Sequence, residues 1–415
     1  MTDILSENGK QNIKMSMIDM LSDSAVWEDF YGYKCSLACP KSFTAVLRRF
    51  IDEKRYIPVC SAINGGEMFA LPKKSVISKM SSAKKRVVYT YPEDENTVLK
   101  LLTYLMLRRY DALFADGLFS FRPGRTAKDA VRRLVRTKGI SKKYSYKVDI
   151  SNYFNSVPVD LLLPQLKSTF ADDERLYGFL SGLLLEPRVI ENGQIHKESK
   201  GIMAGTPLSA FLANLFLSEL DHHFQDLGVI YERYSDDIIL FADTKDECEA
   251  YAGTVKDFLA EHRLSVNPDK ESFSSPEDGF VFLGFSVCAN KIDIAPATVR
   301  KLKGKMRRKR DALARWKKRN EADGERAARA FIRMFNRKLL ENAGDNELTW
   351  SSWFFSVITT DESLHAIDLY AQECIRFLVC GKHTKARYNV KYEDLKKLGY
   401  RSLVHEYYES AGTGA

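Results

Sequence analysis

Hydrophobic residues follow two kinds of spacing along the chain, and the two kinds alternate. Helical spacing covers 99–110, 176–185, 208–227 and 247–264. Strand-like runs lie at the end of the segment 71–90 and at the start of the segment 145–157. Three more cover 229–234, 238–242 and 279–287. Asn192-Gly193 lies between apolar runs and predicts a β-hairpin within 188–201. Because the remainder is helical or irregular, the pattern predicts an α+β fold.

Composition narrows the class of protein. The 415 residues are 45% hydrophobic and 28% charged, which is typical of a folded protein rather than a disordered one. No apolar run approaches the roughly 18 residues of a membrane helix, and the polar start lacks a signal core. We therefore expect a cytoplasmic protein without a membrane partner. Among the seven cysteines, only Cys35 and Cys39 are closely spaced, so we expect free thiols and no zinc site.

Positive charge is concentrated in one segment. The net charge is only +8, but residues 300–319 contain twelve cations and one acid. Leu302, Met306 and Leu313 recur at helical spacing, which predicts one helix with a narrow apolar stripe. A solvated basic helix is the simpler interpretation. We favour a nucleic-acid backbone as the partner, because so many like charges repel one another unless a bound anion neutralises them.

Three aspartates carry the candidate chemistry. Tyr234-Ser235-Asp236-Asp237 separates two apolar runs, and alone it indicates only a hairpin turn. Asp149 ends a strand-like run upstream. Three close carboxylates repel one another unless a cation neutralises them. Mg²⁺ suits such a cluster, with Mn²⁺ as an alternative, and two ions would serve phosphoryl chemistry.

Six segments occur in the order of the reverse transcriptase motifs, and together they resemble the group II intron and retron enzymes. They are KKRVVYTYP (84–92), FSFRPGRTAKDAV (119–131), VDISNYFNSV (148–157), GIMAGTPLSAFLANLFL (201–217), YSDD (234–237) and DGFVFLGF (278–285). The resemblance spans about 71–290. It implies a right-hand polymerase fold with fingers, an antiparallel-sheet palm and a helical thumb. The expected segments are an N-terminal helical one (1–59), fingers (60–135), palm (136–290), thumb (291–345) and a C-terminal helical one (346–415).

The same resemblance implies roles for individual residues. The metal ligands would be Asp149, Asp236, Asp237 and the carbonyl of Ile150, and Lys270 would protonate the leaving pyrophosphate. Nucleotide contacts would come from Lys79, Lys85, Arg86, Phe154 and Gly205, with Phe154 excluding a 2′-hydroxyl. Nucleic-acid contacts would come from Arg122, Arg125, Tyr234, Lys301, Lys305 and Arg308. Structural roles for Phe154, Arg122 and Arg125, and a solvated Lys270, are the alternatives.

The chain departs from the family at one place. Met203-Ala204-Gly205 stands where the family usually has Pro-Gln-Gly, so the glutamine that touches the nucleotide sugar is missing. The segment 398–408 resembles the ending of solitary, phage-defence reverse transcriptases that work with a structured noncoding RNA. Expected partners are therefore an RNA template, dNTP and a DNA product. Retron-type synthesis, weakly templated or protein-primed synthesis, and a non-catalytic RNA-binding scaffold stay open.

Overall fold

The computed structural model describes residues 15–37, 40–78, 85–289, 291–341, 349–381 and 388–412. Its strands are β1 (Lys73–Ser78), β2 (Lys85–Thr90), β3 (Tyr144–Asp149), β4 (Arg188–Glu191), β5 (Gln194–Lys197), β6 (Ile230–Tyr234), β7 (Asp237–Ala242), β8 (Ser272–Ser274), β9 (Phe280–Phe282), β10 (Phe285–Cys288) and β11 (Lys291–Ile294). Its α-helices are α1 (Met17–Met20), α2 (Ser24–Ser36), α3 (Lys41–Asp52), α4 (Tyr56–Asn64), α5 (Glu93–Arg109), α6 (Ala127–Arg136), α7 (Tyr153–Ser156), α8 (Val159–Thr169), α9 (Glu174–Leu185), α10 (Ser209–Phe216), α11 (Ser218–Asp226), α12 (Lys245–Glu261), α13 (Pro296–Arg319), α14 (Gly324–Leu339), α15 (Trp350–Phe354), α16 (Glu362–Cys380), α17 (Tyr392–Lys397) and α18 (Leu403–Gly412).

The first sheet has the strand order β2-β1-β4-β5. β1 pairs antiparallel with β2 and parallel with β4, through Lys73 and Ile190. The predicted hairpin is confirmed: β4 and β5 are joined by Asn192 (φ 52°) and Gly193 (φ 82°), the positive values that a two-residue turn requires. The sheet therefore draws on both the 60–135 and the 136–290 segments of the predicted division.

The central sheet, β6-β7-β3-β8, is antiparallel throughout, as expected for a palm. Helices α10, α11 and α12 lie close in sequence to its strands. The prediction of one helix over 208–227 was wrong, because the chain forms α10 and α11 with a break at Leu217. Leu217 has φ −102° and ψ 9°, outside the helical range, although its side chain is apolar and fully buried.

A third sheet follows, with the order β11-β10-β9. The prediction of a single strand over 279–287 was wrong. Leu283 (φ 49°) and Gly284 (φ 90°) both adopt the left-handed conformation and reverse the chain between β9 and β10. The apolar run continues through this turn, so hydrophobicity alone gave no sign of it.

Two hydrophobic cores organise the molecule. The first joins the N-terminal helices to the first sheet and the palm, and Trp27 lies within it. The second joins α13 and α14 to α16 and to Leu403 at the start of α18. The predicted thumb and C-terminal segment therefore share one core. β7 contributes to both cores, with Ile238 and Leu240 in the first and Ile239 and Phe241 in the second.

The structure also bears on membrane crossing and on the state of the cysteines. Within the described ranges, no helix has the length and apolar character needed to cross a lipid bilayer. Free thiols, as predicted, are present at Cys60, Cys248, Cys288 and Cys374.

Candidate active site

The three candidate aspartates lie at one end of adjacent strands. β3 and β7 are paired in a register that sets Asp149 opposite Asp237. β6 and β7 form a hairpin whose two-residue turn is Ser235-Asp236, with Ser235 at φ 61°. The N–H of Ile150 donates to the carbonyl of Asp236 at 3.1 Å, which ties the turn to the end of β3. The strand pairing therefore brings together the acids that the sequence separates.

Two lysines contact these carboxylates. Asp149 is 4% exposed and forms an ion pair with Lys270, while Nζ of Lys147 lies 3.5 Å from Asp237. Burial raises the pKa of Asp236, and the charges of Asp149 and Asp237 raise it further. Across the described ranges, no three His, Cys, Asp or Glu side chains converge to the spacing of a metal site.

The donor set nevertheless fits a hard divalent cation. It consists of three carboxylates and backbone carbonyls, and oxygen ligands are what Mg²⁺ prefers. Burial is the largest cause of the raised pKa of Asp236, and the charges of the neighbouring acids add to it; a cation would relieve that repulsion. Ile150 is 1% exposed and bonded to the hairpin through its N–H, so its carbonyl is fixed relative to the aspartates.

The segment that replaces Pro-Gln-Gly is held against β2 by hydrogen bonds. Ala204 accepts from the N–H of Tyr89 at 2.8 Å, and its own N–H donates to Oδ1 of Asn155 at 2.9 Å. Asn155 also donates from Nδ2 to the carbonyl of Val87 at 3.1 Å. Sequence reasoning missed Asn155; the only signal was a polar residue directly after Phe154. This side chain connects β2, α7 and the Gly205 segment.

Gly205 occupies a position that disfavours a side chain. Its φ is +102°, and an added Cβ would lie 3.1 Å from the carbonyl oxygen of Tyr89 and from Cβ of Val88. Met203, two residues earlier, is fully buried, and Phe154 is half-buried beside Asn155. Gly205 is therefore both exposed and closely packed against β2.

A buried polar network holds the turn between β6 and β7 through hydrogen bonds to Ser235. The guanidinium of Arg233 donates to Asp221 at 2.7 Å and 2.5 Å, and both side chains are fully buried. Arg233 also donates to the carbonyl of Ser235 at 3.3 Å. Ser120 accepts from the N–H of Ser235 at 2.9 Å and donates to Asn214 at 3.1 Å. Sequence reasoning missed this network, although an arginine beside an apolar strand was a signal.

Comparison with known proteins agrees with this geometry. A family model described as reverse transcriptase (RNA-dependent DNA polymerase) matches residues 71–287. The chain belongs to the reverse transcriptase family. This confirms the resemblance seen in the ordered motifs. The described strands and helices agree with the expected α+β fold with an antiparallel palm sheet.

Curated relatives of this reverse transcriptase are distant. The group II intron-encoded protein LtrA of Lactococcus lactis is 23% identical over 221 residues, which cover 52% of this chain and 36% of LtrA. Protein YkfC of Escherichia coli is 23% identical over 261 residues, covering 53% of this chain and 67% of YkfC. The chain thus spans about a third of LtrA. A solved apo telomerase from Candida tropicalis is similar at TM-score 0.48 and 11% identity, covering 82% of this chain and 62% of that one.

Two of the remaining predicted contact residues of this reverse transcriptase, Arg122 and Arg125, form hydrogen bonds within the protein. Arg122 is buried, and its guanidinium donates to Asp111 at 2.7 Å and 3.0 Å and to the carbonyl of Ala115 at 2.7 Å. These bonds favour the structural alternative for Arg122. Arg125 donates to the carbonyl of Asp116 at 2.7 Å.

The other predicted contact residues within the described ranges lie on β2, β6 and α13. Lys85 and Arg86 are exposed on β2, and Tyr234 is half-buried at the end of β6. Lys79 lies outside the described residues. The predicted basic helix is α13, four residues longer at its start than expected, and it exposes Lys301, Lys305 and Arg308.

Proposed function

We propose that this member of the family is an RNA-directed DNA polymerase that works by two-metal nucleotidyl transfer. The observation that carries the proposal is the register of Asp149 opposite Asp237, with Asp236 in the adjoining turn. These carboxylates and the carbonyl of Ile150 would hold two Mg²⁺ ions, or Mn²⁺ in their place. Such ions activate an attacking 3′-hydroxyl and stabilise the leaving pyrophosphate.

The other steps belong to residues around the aspartates. Lys270 is half exposed beside Asp149, where its ammonium can give a proton to the leaving pyrophosphate. Arg86 is exposed on β2 and offers a planar fork of donors for the triphosphate. Phe154 and Gly205 flank the same surface and would contact the sugar of a deoxynucleotide. These assignments follow the family motifs position by position.

The finer proposal concerns the template. A structured noncoding RNA, copied in the cytoplasm during antiviral defence, fits the resemblance of 398–408 to the phage-defence enzymes. The basic face of α13 supports the binding of an A-form duplex by its backbone rather than by its sequence. RNA, dNTP and the DNA product are the partners implied.

A second candidate is weakly templated synthesis. Ala204, at the position of the missing glutamine, is 3% exposed, and its N–H and carbonyl are both used within the protein. The buried methyl group of Ala204 cannot make the contact with a nucleotide sugar that the family's glutamine makes. This observation favours looser control over the nucleotide than the family motif provides.

One experiment tests both candidates. A primer is extended on a heteropolymeric RNA with dNTP and Mg²⁺, and the product is sequenced. Asp236→Asn with Asp237→Asn should abolish incorporation while RNA binding is retained. Asp243→Asn is a matched control, since this acid lies just after β7 and is 78% exposed.

The outcomes are distinct. A product complementary to the RNA supports RNA-directed synthesis, whereas a product unrelated to the RNA supports the second candidate. DNA synthesis by the double variant would refute the assignment of the site.

A further inference from the structure

We propose that Asn155 is a positioning residue that fixes the distance between the sugar site at Phe154 and the triphosphate site at Arg86. This distance sets how strictly the enzyme selects deoxynucleotides over ribonucleotides. The inference rests on the proposed polymerase function, in which Phe154 and Arg86 contact the incoming nucleotide. Asn155 acts through these two residues and through β2, without touching the nucleotide itself.

A hydrogen bond links the chain neighbours of the two contact residues. Asn155 directly follows Phe154, and Val87 directly follows Arg86. Nδ2 of Asn155 donates to the carbonyl of Val87 at 3.1 Å, across 68 positions of sequence. Because neighbouring Cα atoms are about 3.8 Å apart, this bond limits how far Arg86 can move away from Phe154.

β2 is an edge strand, and Asn155 occupies part of its free edge. β1 pairs with β2 on one side, and β2 ends the sheet on the other. On this free side the carbonyl of Val87 accepts from Asn155, and the N–H of Tyr89 donates to the carbonyl of Ala204 at 2.8 Å. The side-chain amide of Asn155 therefore takes the place of a peptide group in a strand ladder. Sliding of β2 along this edge would break both bonds.

The side-chain amide of Asn155 has one orientation that satisfies both of its partners. The N–H of Ala204 donates to it at 2.9 Å and needs an oxygen, whereas the carbonyl of Val87 needs an N–H. Oδ1 therefore faces Ala204 and Nδ2 faces Val87. A carboxylate of the same shape offers acceptors alone, so aspartate would keep the bond to Ala204 and lose the bond to Val87.

The backbone of Phe154 is held against the Gly205 segment. Its carbonyl accepts from the N–H of Ile202 at 2.8 Å. A Cβ added to Gly201 would lie 2.5 Å from the same carbonyl oxygen, so glycine is what permits this close approach. The bond from Asn155 extends this fixed geometry from α7 to β2.

The position of β2 matters because an aromatic ring excludes a 2′-hydroxyl only while the sugar stays close to it. If β2 is free to shift, the triphosphate shifts with Arg86 and the sugar moves away from Phe154. Displacements of about 1 Å are enough to change enzyme kinetics strongly. We therefore expect loss of the bond to weaken dNTP binding and to admit ribonucleotides.

Asn155→Asp in the full chain tests this link, because it removes one bond and keeps the other. Primer extension on RNA gives kcat and KM for dCTP and for CTP. We expect the KM for dCTP to rise about tenfold, near the upper limit for one neutral hydrogen bond. The kcat for dCTP should change less than about twofold, and the preference for dCTP over CTP should fall about tenfold.

Asn192→Asp is the matched control, the same chemical change at an exposed residue of the same sheet. It should leave both KM values unchanged, since Asp-Gly also suits a two-residue turn. Asn155→Ala removes both bonds and should raise the KM for dCTP at least as much as Asn155→Asp. An effect of Asn155→Ala alone would overturn the proposal, because the bond to Ala204 would then be the cause. Circular dichroism melting checks that each variant folds.

Hydrogen exchange measures the link without DNA synthesis. In Asn155→Asp the amides of 85–90 should exchange faster than in the unchanged protein, while those of 230–242 should not. Unchanged exchange in 85–90, or a lower kcat with an unchanged KM, would overturn the proposal. Absence of primer extension by the unchanged protein would refute the polymerase function itself, and the role of Asn155 in sugar selection would fall with it.

Discussion

Arg233 and Asp221 form a bidentate ion pair in which neither side chain is exposed to solvent. The pair lies beneath the turn that carries Asp236, and the same guanidinium donates to the carbonyl of Ser235. A buried pair of this kind adds little net stability compared with a well-packed apolar pair. The pair contributes to geometry instead, because it fixes the turn that places Asp236 beside the end of β3.

The first prediction concerns this pair. Asp221→Asn leaves the charge of Arg233 buried without its partner, and we expect a loss of about 3–5 kcal/mol in the free energy of unfolding. Asp221→Leu with Arg233→Met removes the unpaired charge and should recover much of the stability. Primer extension by this double variant should stay slow, with a lower kcat, because Ser235 loses the hydrogen bond from the guanidinium to its carbonyl.

Urea denaturation and steady-state kinetics measure the two effects. Asp160→Asn is the control, since its pair with Arg263 is exposed and should change stability by no more than about 1 kcal/mol. Normal kcat in the stable double variant would show that the pair acts only on folding.

The second prediction compares two glycines. Gly205 and Gly193 both have positive φ, +102° and +82°, so alanine imposes backbone strain at either site. Only at Gly205 does the added Cβ meet a neighbour, the strand β2, within 3.4 Å. We expect Gly205→Ala to raise the KM for dNTP severalfold and Gly193→Ala to leave it unchanged. Equal kinetic effects in the two variants would mean that strain, rather than contact with β2, explains the need for glycine.

The third prediction concerns Glu232, a carboxyl on β6 that is 1% exposed. Burial raises its pKa to about 9 from 4.5, although Arg133, 3.4 Å away, opposes the shift. The folded protein therefore binds this proton more tightly than the unfolded chain does. Between pH 4.5 and 9 the stability supplied by this group falls as the pH rises, by about 1.4 kcal/mol per pH unit.

Glu232→Gln should therefore be more stable than the unchanged protein at pH 8.5, and the advantage should shrink toward pH 5.5. Urea denaturation at these two values and at pH 7 tests this. Glu249→Gln, a change at an exposed position on α12, is the control. An advantage that does not depend on pH would contradict the assignment of the shift to Glu232.

The fourth prediction concerns α13. Replacing Lys301, Lys305 and Arg308 by glutamine should weaken RNA–DNA duplex binding. It should also reduce the slope of log K against log salt by about 2–3, since each phosphate contact contributes close to one unit. Anisotropy titrations at four salt concentrations give the slope.

A triple glutamine variant at Lys245, Arg263 and Lys397 loses the same formal charge at exposed positions away from α13. If both triple variants lower the slope equally, net charge rather than the surface of α13 drives binding.

Local features of the fold could be predicted from the sequence. Asn192-Gly193 specifies its own turn through positive φ, and Tyr234 to Asp237 lies between two strands that must pair. The order of six motifs along the chain, with Asp149 before the hairpin, was enough to identify the family. In each case a few adjacent residues determine the structure.

Features that depend on distant residues could not be predicted. Asn155 bonds to Val87, 68 positions earlier, and Ser120 bonds to Asn214, 94 positions later. The turn at Leu283 has no polar residue of its own and depends on the pairing of β9 with β10. Neither propensity nor hydrophobic spacing contains this information, because tertiary contacts decide it.

β7 has one further consequence for the motions of the molecule. Its residues alternate between the two cores, with Leu240 in one and Phe241 in the other, so opening this strand requires both cores to loosen at once. We expect its backbone amides to be among the slowest in hydrogen exchange. Asp237, the first residue of β7, is therefore attached to a slowly exchanging element, and its pairing with Asp149 should be among the last parts of the sheet to open.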